Sequence, residues 1–163
     1  MTKIPVVFCF DKRIILGASV AISSLIDCAS DETIYDIRIF HSDLNEKHQT
    51  NLKKLTKSTR HEMKFHYINP DIFKNAPHNN GSWRTNVYYR LLTPSILTEY
   101  DKAVYADSDM LFKEDLTELY NTDIEGYQIG AVPTATQEYI KKYDSIRFFP
   151  ENKNDKDYIS AFI

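Results

Sequence analysis

Apolar residues along the chain follow two rhythms, one of unbroken runs or strict alternation and one of three-to-four spacing. Val6-Val7-Phe8-Cys9-Phe10 is an unbroken apolar run, the pattern of a strand buried on both faces of a parallel sheet. After Asp11-Lys12-Arg13, apolar residues at Ile15, Ala18, Ile22, Leu25, Ile26 and Ala29 keep helical spacing. This predicts a helix from Ile14 to about Ala29, with small residues that let it approach a sheet closely. Tyr35, Ile37 and Ile39 alternate with Asp36 and Arg38, predicting a second strand that ends at His41-Ser42-Asp43. Leu44, His48, Leu52 and Leu55 form the thin apolar stripe of a polar helix. Met63, Phe65 and Tyr67 then alternate with Lys64 and His66 in a third strand closed by Asn69-Pro70.

Beyond this point the rhythm is less regular. Residues 75–82, with a proline, a glycine and three asparagines, read as a loop that carries His78. Arg84 to Leu92 reads as helical and stops at Thr93-Pro94. Ala103-Val104-Tyr105-Ala106 is a short buried strand that runs straight into Asp107-Ser108-Asp109. Met110-Leu111-Phe112 and Tyr127 to Val132 read as further strands, and Asp115 to Tyr120 and Thr134 to Tyr143 as short helices. The charged run 151–157 reads as a surface loop, and Tyr158 to Ile163 as the start of another strand. The order of strands and helices predicts an open, mostly parallel α/β sheet flanked by helices. Right-handed crossovers then put the C-terminal ends of the first and fourth strands at one edge of that sheet.

Length and composition agree with this reading. The 163 residues suit one domain, and a hydrophobic share of 42% with 26% charged residues is ordinary for a globular protein. A net charge of −3 and the lack of a basic stripe argue against a nucleic-acid partner and for a small molecule. The N-terminal residues lack the apolar stretch of a signal peptide, and no segment suits a transmembrane helix. The expected location is therefore cytoplasmic. Cys9 and Cys28 lie in apolar segments without the paired spacing of a zinc site, and read as reduced core residues.

The chemistry concentrates at the strand ends. Asp107 and Asp109 are spaced i and i+2, so in extended backbone both carboxylates project to one side and can grip one divalent cation. Their hard oxygens suit Mg²⁺ or Mn²⁺, and an acidic pair directly after a buried strand sits where open α/β sheets bind ligands. A D-x-D in a solvated turn is the competing reading of the same residues. Asp11 can either accept a hydrogen bond from a ligand above the sheet or cap the helix after it, and capping is the commoner role of an aspartate there. Arg90, taken alone, reads as a surface ion-pair residue.

The combination Thr85-Asn86-Val87-Tyr88-Tyr89-Arg90-Leu91-Leu92, then Asp101-Lys102-Ala103-Val104-Tyr105-Ala106-Asp107-Ser108-Asp109, resembles the N-terminal part of glycosyltransferase family 8. That group includes bacterial lipopolysaccharide galactosyl- and glucosyltransferases. The opening strand-Asp-helix and Asn69-Pro70-Asp71-Ile72-Phe73 support the likeness, which covers nearly the whole chain. It implies a GT-A, Rossmann-like fold and a metal-dependent hexosyltransferase that uses UDP-glucose or UDP-galactose and retains anomeric configuration. The implied acceptor is a glycan or lipopolysaccharide, and the implied location extends to the inner face of a membrane. By the same resemblance Asp107 and Asp109 would bind Mn²⁺ (or Mg²⁺), and the Ser108 backbone would meet the ribose. Asp11 would pair with the uracil edge beside the backbone of Cys9 and Phe10, and Arg90 would reach the donor sugar or diphosphate.

The sequence also departs from the family pattern. Lys12, Arg13 and Ile14 stand where the family has Asp-Asn-Tyr, so the tyrosine that would stack on uracil is Ile14. The family's asparagine and glycine near residue 160 are replaced by Ser160 and Phe162. Family members continue further and supply a later histidine to the metal, whereas none of the five histidines here follows the D-x-D. The chain therefore also reads as the donor-binding part of a truncated enzyme. The rival expectation is a catalytically inactive fragment with residual or no UDP binding, whose exposed sheet edges favour self-association. A haloacid-dehalogenase-type phosphatase also uses D-x-D after a strand. It places the motif near the N-terminus with Thr or Val two residues on, where this chain has Leu111.

Overall fold

In the computed structural model, which describes residues 1–76, 85–133 and 159–162, Val6 to Cys9 of the first apolar run lie in the strand Thr2–Cys9 (β1), and Phe10 follows its end. Helix Ile15–Asp27 (α1), strand Thr33–His41 (β2), helix Glu46–Lys53 (α2) and strand Glu62–Tyr67 (β3) follow in the expected order. After a 3₁₀ helix at Thr85–Leu92 come a short helix Thr93–Ile96 (α3), strand Val104–Ala106 (β4) and helix Thr117–Tyr120 (α4). These elements lie in a compact unit spanning Met1–Asp123. Its sheet is parallel throughout, in the order β3-β2-β1-β4. The second unit, Ile124–Ile163, contains an antiparallel pair of strands Ala131–Pro133 (β5) and Ile159–Phe162 (β6).

Both faces of β1 are covered, which is why its sequence is an unbroken apolar run. Val7 and Cys9 pack with Phe40, Ile68, Tyr89 and Leu97 on one face. Alternation turns Val6 and Phe8 to the other, where Phe8 meets Phe112 edge-on at 6.4 Å. Helix α1 buries Ala18, Ala21, Ile22 and Leu25. The charged residues of β2 are buried rather than solvated: Arg38 donates to Asp36 at 2.8 Å and 2.6 Å and to Glu99 at 2.7 Å, and Tyr100 donates to Asp36 at 2.7 Å.

Two expectations about elements are corrected. Met110-Leu111-Phe112 is not a strand. Met110 and Leu111 are exposed, and the backbone of Phe112 is satisfied by side chains, its N–H by Ser24 Oγ and its carbonyl by the Cys28 thiol. Tyr127 to Gly130 is not extended either: Gly126 takes a positive φ of 82°, the Tyr127 N–H closes a turn onto the Ile124 carbonyl, and the strand begins only at Ala131. The segment before Thr93-Pro94 is helical as expected, of 3₁₀ type over Thr85–Leu92, with the Arg90 side chain donating to the Val87 carbonyl. The predicted helix 134–143, the charged loop 151–157 and His78 lie outside the described residues. Among those described, no helix is long and apolar enough to cross a membrane.

Candidate functional site

Strand β4 pairs with β1 in parallel, with Phe8 opposite Ala106. Asp11 and Asp107 therefore both emerge just past the C-terminal ends of adjacent strands, as the crossover argument requires. The first turn of α1 closes in from the other side: a Cβ built on Gly17 would lie 3.5 Å from the Ser108 carbonyl oxygen. The backbone N–H of Lys12 donates to Asp43 at 3.0 Å, which ties the turn after β1 to the turn after β2.

Asp107 is half-exposed and already engaged. Tyr105 Oη donates to its Oδ1 at 2.6 Å, and Arg90 Nη2 lies 3.7 Å from the same oxygen. The Arg90 guanidinium also stacks over the Tyr105 ring at 4.1 Å while its Nε donates to the Val87 carbonyl at 2.8 Å. Tyr105 thus holds a carboxylate with its hydroxyl and a cation with its ring face. Burial, followed by the bond to Asp107, pushes the Tyr105 phenol well above its ordinary range, so it remains a donor. Ser108 is partly buried and Asp109 exposed in the turn that follows. Cys9 and Phe10 are buried beneath, and burial pushes the Cys9 thiol up to about 12.

Asp11 does not cap α1: Ile14 occupies that position without a side-chain bond. Its carboxylate instead folds onto Arg13. Oδ1 accepts from the Arg13 N–H at 2.9 Å and from Nε at 2.9 Å, and Oδ2 from Nη2. The Arg13 fork, acting against burial, holds the Asp11 carboxyl below the usual carboxylate range.

Asp107 and Asp109 offer two hard oxygen donors on an accessible turn, which fits Mn²⁺ or Mg²⁺ when phosphate and water oxygens fill the other positions. Among the described residues, no group of three or more His, Cys, Asp or Glu side chains could hold a metal ion. A shallow groove lined by Lys53, Lys57, His61 and Lys64 between α2 and β3 contains none of the predicted site residues. Tyr105, Arg13 and Asp43 are the site residues that sequence reasoning passed over. Of these only Tyr105 carried a usable signal, since it stands two positions before Asp107 in a strand and shares its side.

The model of glycosyl transferase family 8 matches residues 5–160. Glycosyltransferase GlyF of Streptococcus pneumoniae serotype 4 is 26% identical over 129 residues, which are 74% of this chain and 31% of GlyF. Among solved structures, galactosyltransferase LgtC in complex with donor and acceptor sugar analogues is similar at a TM-score of 0.73 and 23% identity, over 85% of this chain and 51% of LgtC. The apo bifunctional glycosyltransferase WbbM is similar at a TM-score of 0.67 and 27% identity, over 82% of this chain and 23% of WbbM. The chain thus spans about a third of GlyF and about half of LgtC.

Proposed function

The chain belongs to glycosyl transferase family 8 and has the GT-A fold, and on that premise we propose that residues 1–163 form the donor-binding domain of a retaining hexosyltransferase. The donor is a UDP-hexose, glucose or galactose, and the acceptor is a hydroxyl of a glycan or lipopolysaccharide. The observation that carries this reading is the parallel pairing of β1 with β4, with Phe8 opposite Ala106, which brings Asp11 and the Asp107-Ser108-Asp109 turn to one sheet end. That is where open α/β sheets take nucleotides. LgtC, which shares the fold, is solved in complex with donor and acceptor sugar analogues, and this supports a sugar-donor ligand for the present chain.

Each residue has a stated task in this reading. Asp107 and Asp109 hold the divalent cation, whose charge when bound stabilises a departing diphosphate. Asp11 accepts from the uracil edge, with the backbone of Cys9 and Phe10 lining the base pocket and the Ser108 backbone meeting the ribose. Arg90 is a permanently charged fork already held by Tyr105 and the Val87 carbonyl. It is therefore preorganised toward diphosphate or sugar oxygens without first losing side-chain entropy. The neighbouring carboxylate of Asp107 keeps that charge balanced before the donor arrives.

Calorimetry of UDP binding tests the reading. Binding is expected with Mn²⁺, and is expected to fall at least about tenfold without the metal or in the double variant Asp107→Ala/Asp109→Ala. A folded wild-type chain that binds UDP equally well in EDTA overturns it. The two-carboxylate donor set favours a second reading, in which the chain binds donor without completing transfer. Release of UDP from UDP-galactose or UDP-glucose separates the two.

A further inference from the structure

Asp11 is the carboxylate assigned to the base, yet both of its oxygens are taken by the chain itself. Oδ1 accepts two bonds of 2.9 Å from Arg13, one from the backbone and one from Nε, and Oδ2 accepts from Arg13 Nη2. The guanidinium therefore covers the carboxylate as a planar bidentate fork. A uracil ring presents one N–H between two carbonyls, and that N–H needs an open acceptor site on the carboxylate, of which the three bonds from Arg13 leave about one, on Oδ2 beside the guanidinium. We infer that Arg13 is an internal competitor for the uracil-reading carboxylate, so that it sets how tightly and how selectively the chain holds a uridine nucleotide. This rests on the donor-site reading above and adds to it a residue which that reading does not use.

The geometry makes the competition reversible. The Arg13 side chain is 42% exposed while that of Asp11 is 12% exposed, so the cation can swing into water and leave the carboxylate in place. An ion pair with one partner so exposed is screened and only modestly stable. The carboxylate does not lose its aim when the guanidinium leaves, because the backbone N–H at position 13 still donates to Oδ1. The Ile14 N–H likewise still closes the turn onto the Asp11 carbonyl at 3.0 Å. Removing the arginine side chain thus frees Oδ2 without dismantling the loop. Ile14, beside it, is exposed and offers a base only apolar contact, so the hydrogen bond to Asp11 carries much of the base recognition.

The test compares UDP with CDP, whose ring carries an acceptor at the nitrogen where uracil has a donor, on wild type and on Arg13→Ala and Arg13→Lys. All are titrated calorimetrically with Mn²⁺ present, with thermal melting to confirm folding. Arg13→Ala is expected to bind UDP about tenfold tighter than wild type, with CDP nearly unchanged, because one charge-assisted bond is released to the imide. Arg13→Lys, which keeps the charge and loses the fork, is expected to fall between the two. UDP affinity that is unchanged or weaker in folded Arg13→Ala, while wild type shows metal-dependent UDP binding, overturns the inference and leaves the donor-site reading intact. Failure of both wild type and Arg13→Ala to bind UDP overturns both.

Discussion

Tyr105 is the residue through which the candidate site is held together. Its hydroxyl fixes Asp107 and its ring carries Arg90, so one side chain sets the separation of an anion and a cation. Tyr105→Phe keeps the ring and deletes only the 2.6 Å bond. Stability is expected to fall by about 1 kcal/mol, the net worth of one hydrogen bond. Metal-dependent UDP affinity is expected to fall several-fold, because Asp107 is no longer preoriented. A urea titration beside calorimetry separates the two effects, and a loss of stability with unchanged affinity would assign Tyr105 a purely structural role. The two cysteines give a second check. Burial lifts the Cys9 thiol to about 12, so at pH 8 its thiolate is scarce as well as covered. Iodoacetamide is expected to modify the partly exposed Cys28 first and to reach Cys9 only on unfolding, read by mass spectrometry of the native chain. Arg90 stood out only through the family resemblance, whereas Asp107 and Asp109 were visible in the sequence as a carboxylate pair at i and i+2. The Arg13 bond to Asp11 was not, since no periodicity marks a side chain that turns back two positions.

Strand β2 carries its own chemical conditions. His61 Nδ1 accepts from the Tyr35 N–H at 3.0 Å, and His41 Nδ1 accepts from the Leu44 N–H at 3.2 Å. Both rings are nearly inaccessible and must be unprotonated at that nitrogen. Burial lowers the pKa of His41, His61 and, on β3, His66 below the usual 6.5. Between the lowered folded values and 6.5 the unfolded chain binds more protons, so stability is full above about pH 6.5 and falls as pH drops below it. Urea midpoints at intervals from pH 7.5 to 5 are expected to decline from about pH 6.5 downward. A flat profile would show that these rings accept protons without cost. The Asp36–Arg38 pair is the second condition: burial works against the Asp36 charge, yet Arg38 and Tyr100 hold its carboxyl below the usual range. Arg38→Ala leaves that carboxylate buried with no fork, and the expected loss is about 3–5 kcal/mol by urea denaturation. The alternation that predicted β2 was correct, but it did not say whether Asp36 and Arg38 are covered. Period two tells which residues share a side, not whether another segment covers that side. Here Glu99 and Tyr100, more than sixty positions along, do so.

At the scale of the whole molecule, the parallel run of the sheet and the arrival of Asp11 and the D-x-D at one sheet end were legible because crossover handedness leaves few topologies. The irregular stretch after Asp109 was not, because it is settled by tertiary partners, Ser24 and Cys28, rather than by local pattern. The proposed donor site joins the turns after β1 and β4, so occupying it would link parts of the chain almost a hundred positions apart. A ligand bound only by the folded state must therefore stabilise the unit Met1–Asp123 as a whole. At one hundred times its dissociation constant, UDP with Mn²⁺ is expected to add about 2.7 kcal/mol. For a chain of 163 residues that corresponds to a rise of roughly 5–10 °C in Tm. Scanning calorimetry with UDP alone, Mn²⁺ alone and both together reads the linkage directly. The rise should need both components and vanish in Asp107→Ala/Asp109→Ala, since two carboxylates without a diphosphate hold the ion weakly. An equal rise in that variant would place the nucleotide elsewhere, whereas a rise confined to intact carboxylates would tie it to the end of β4.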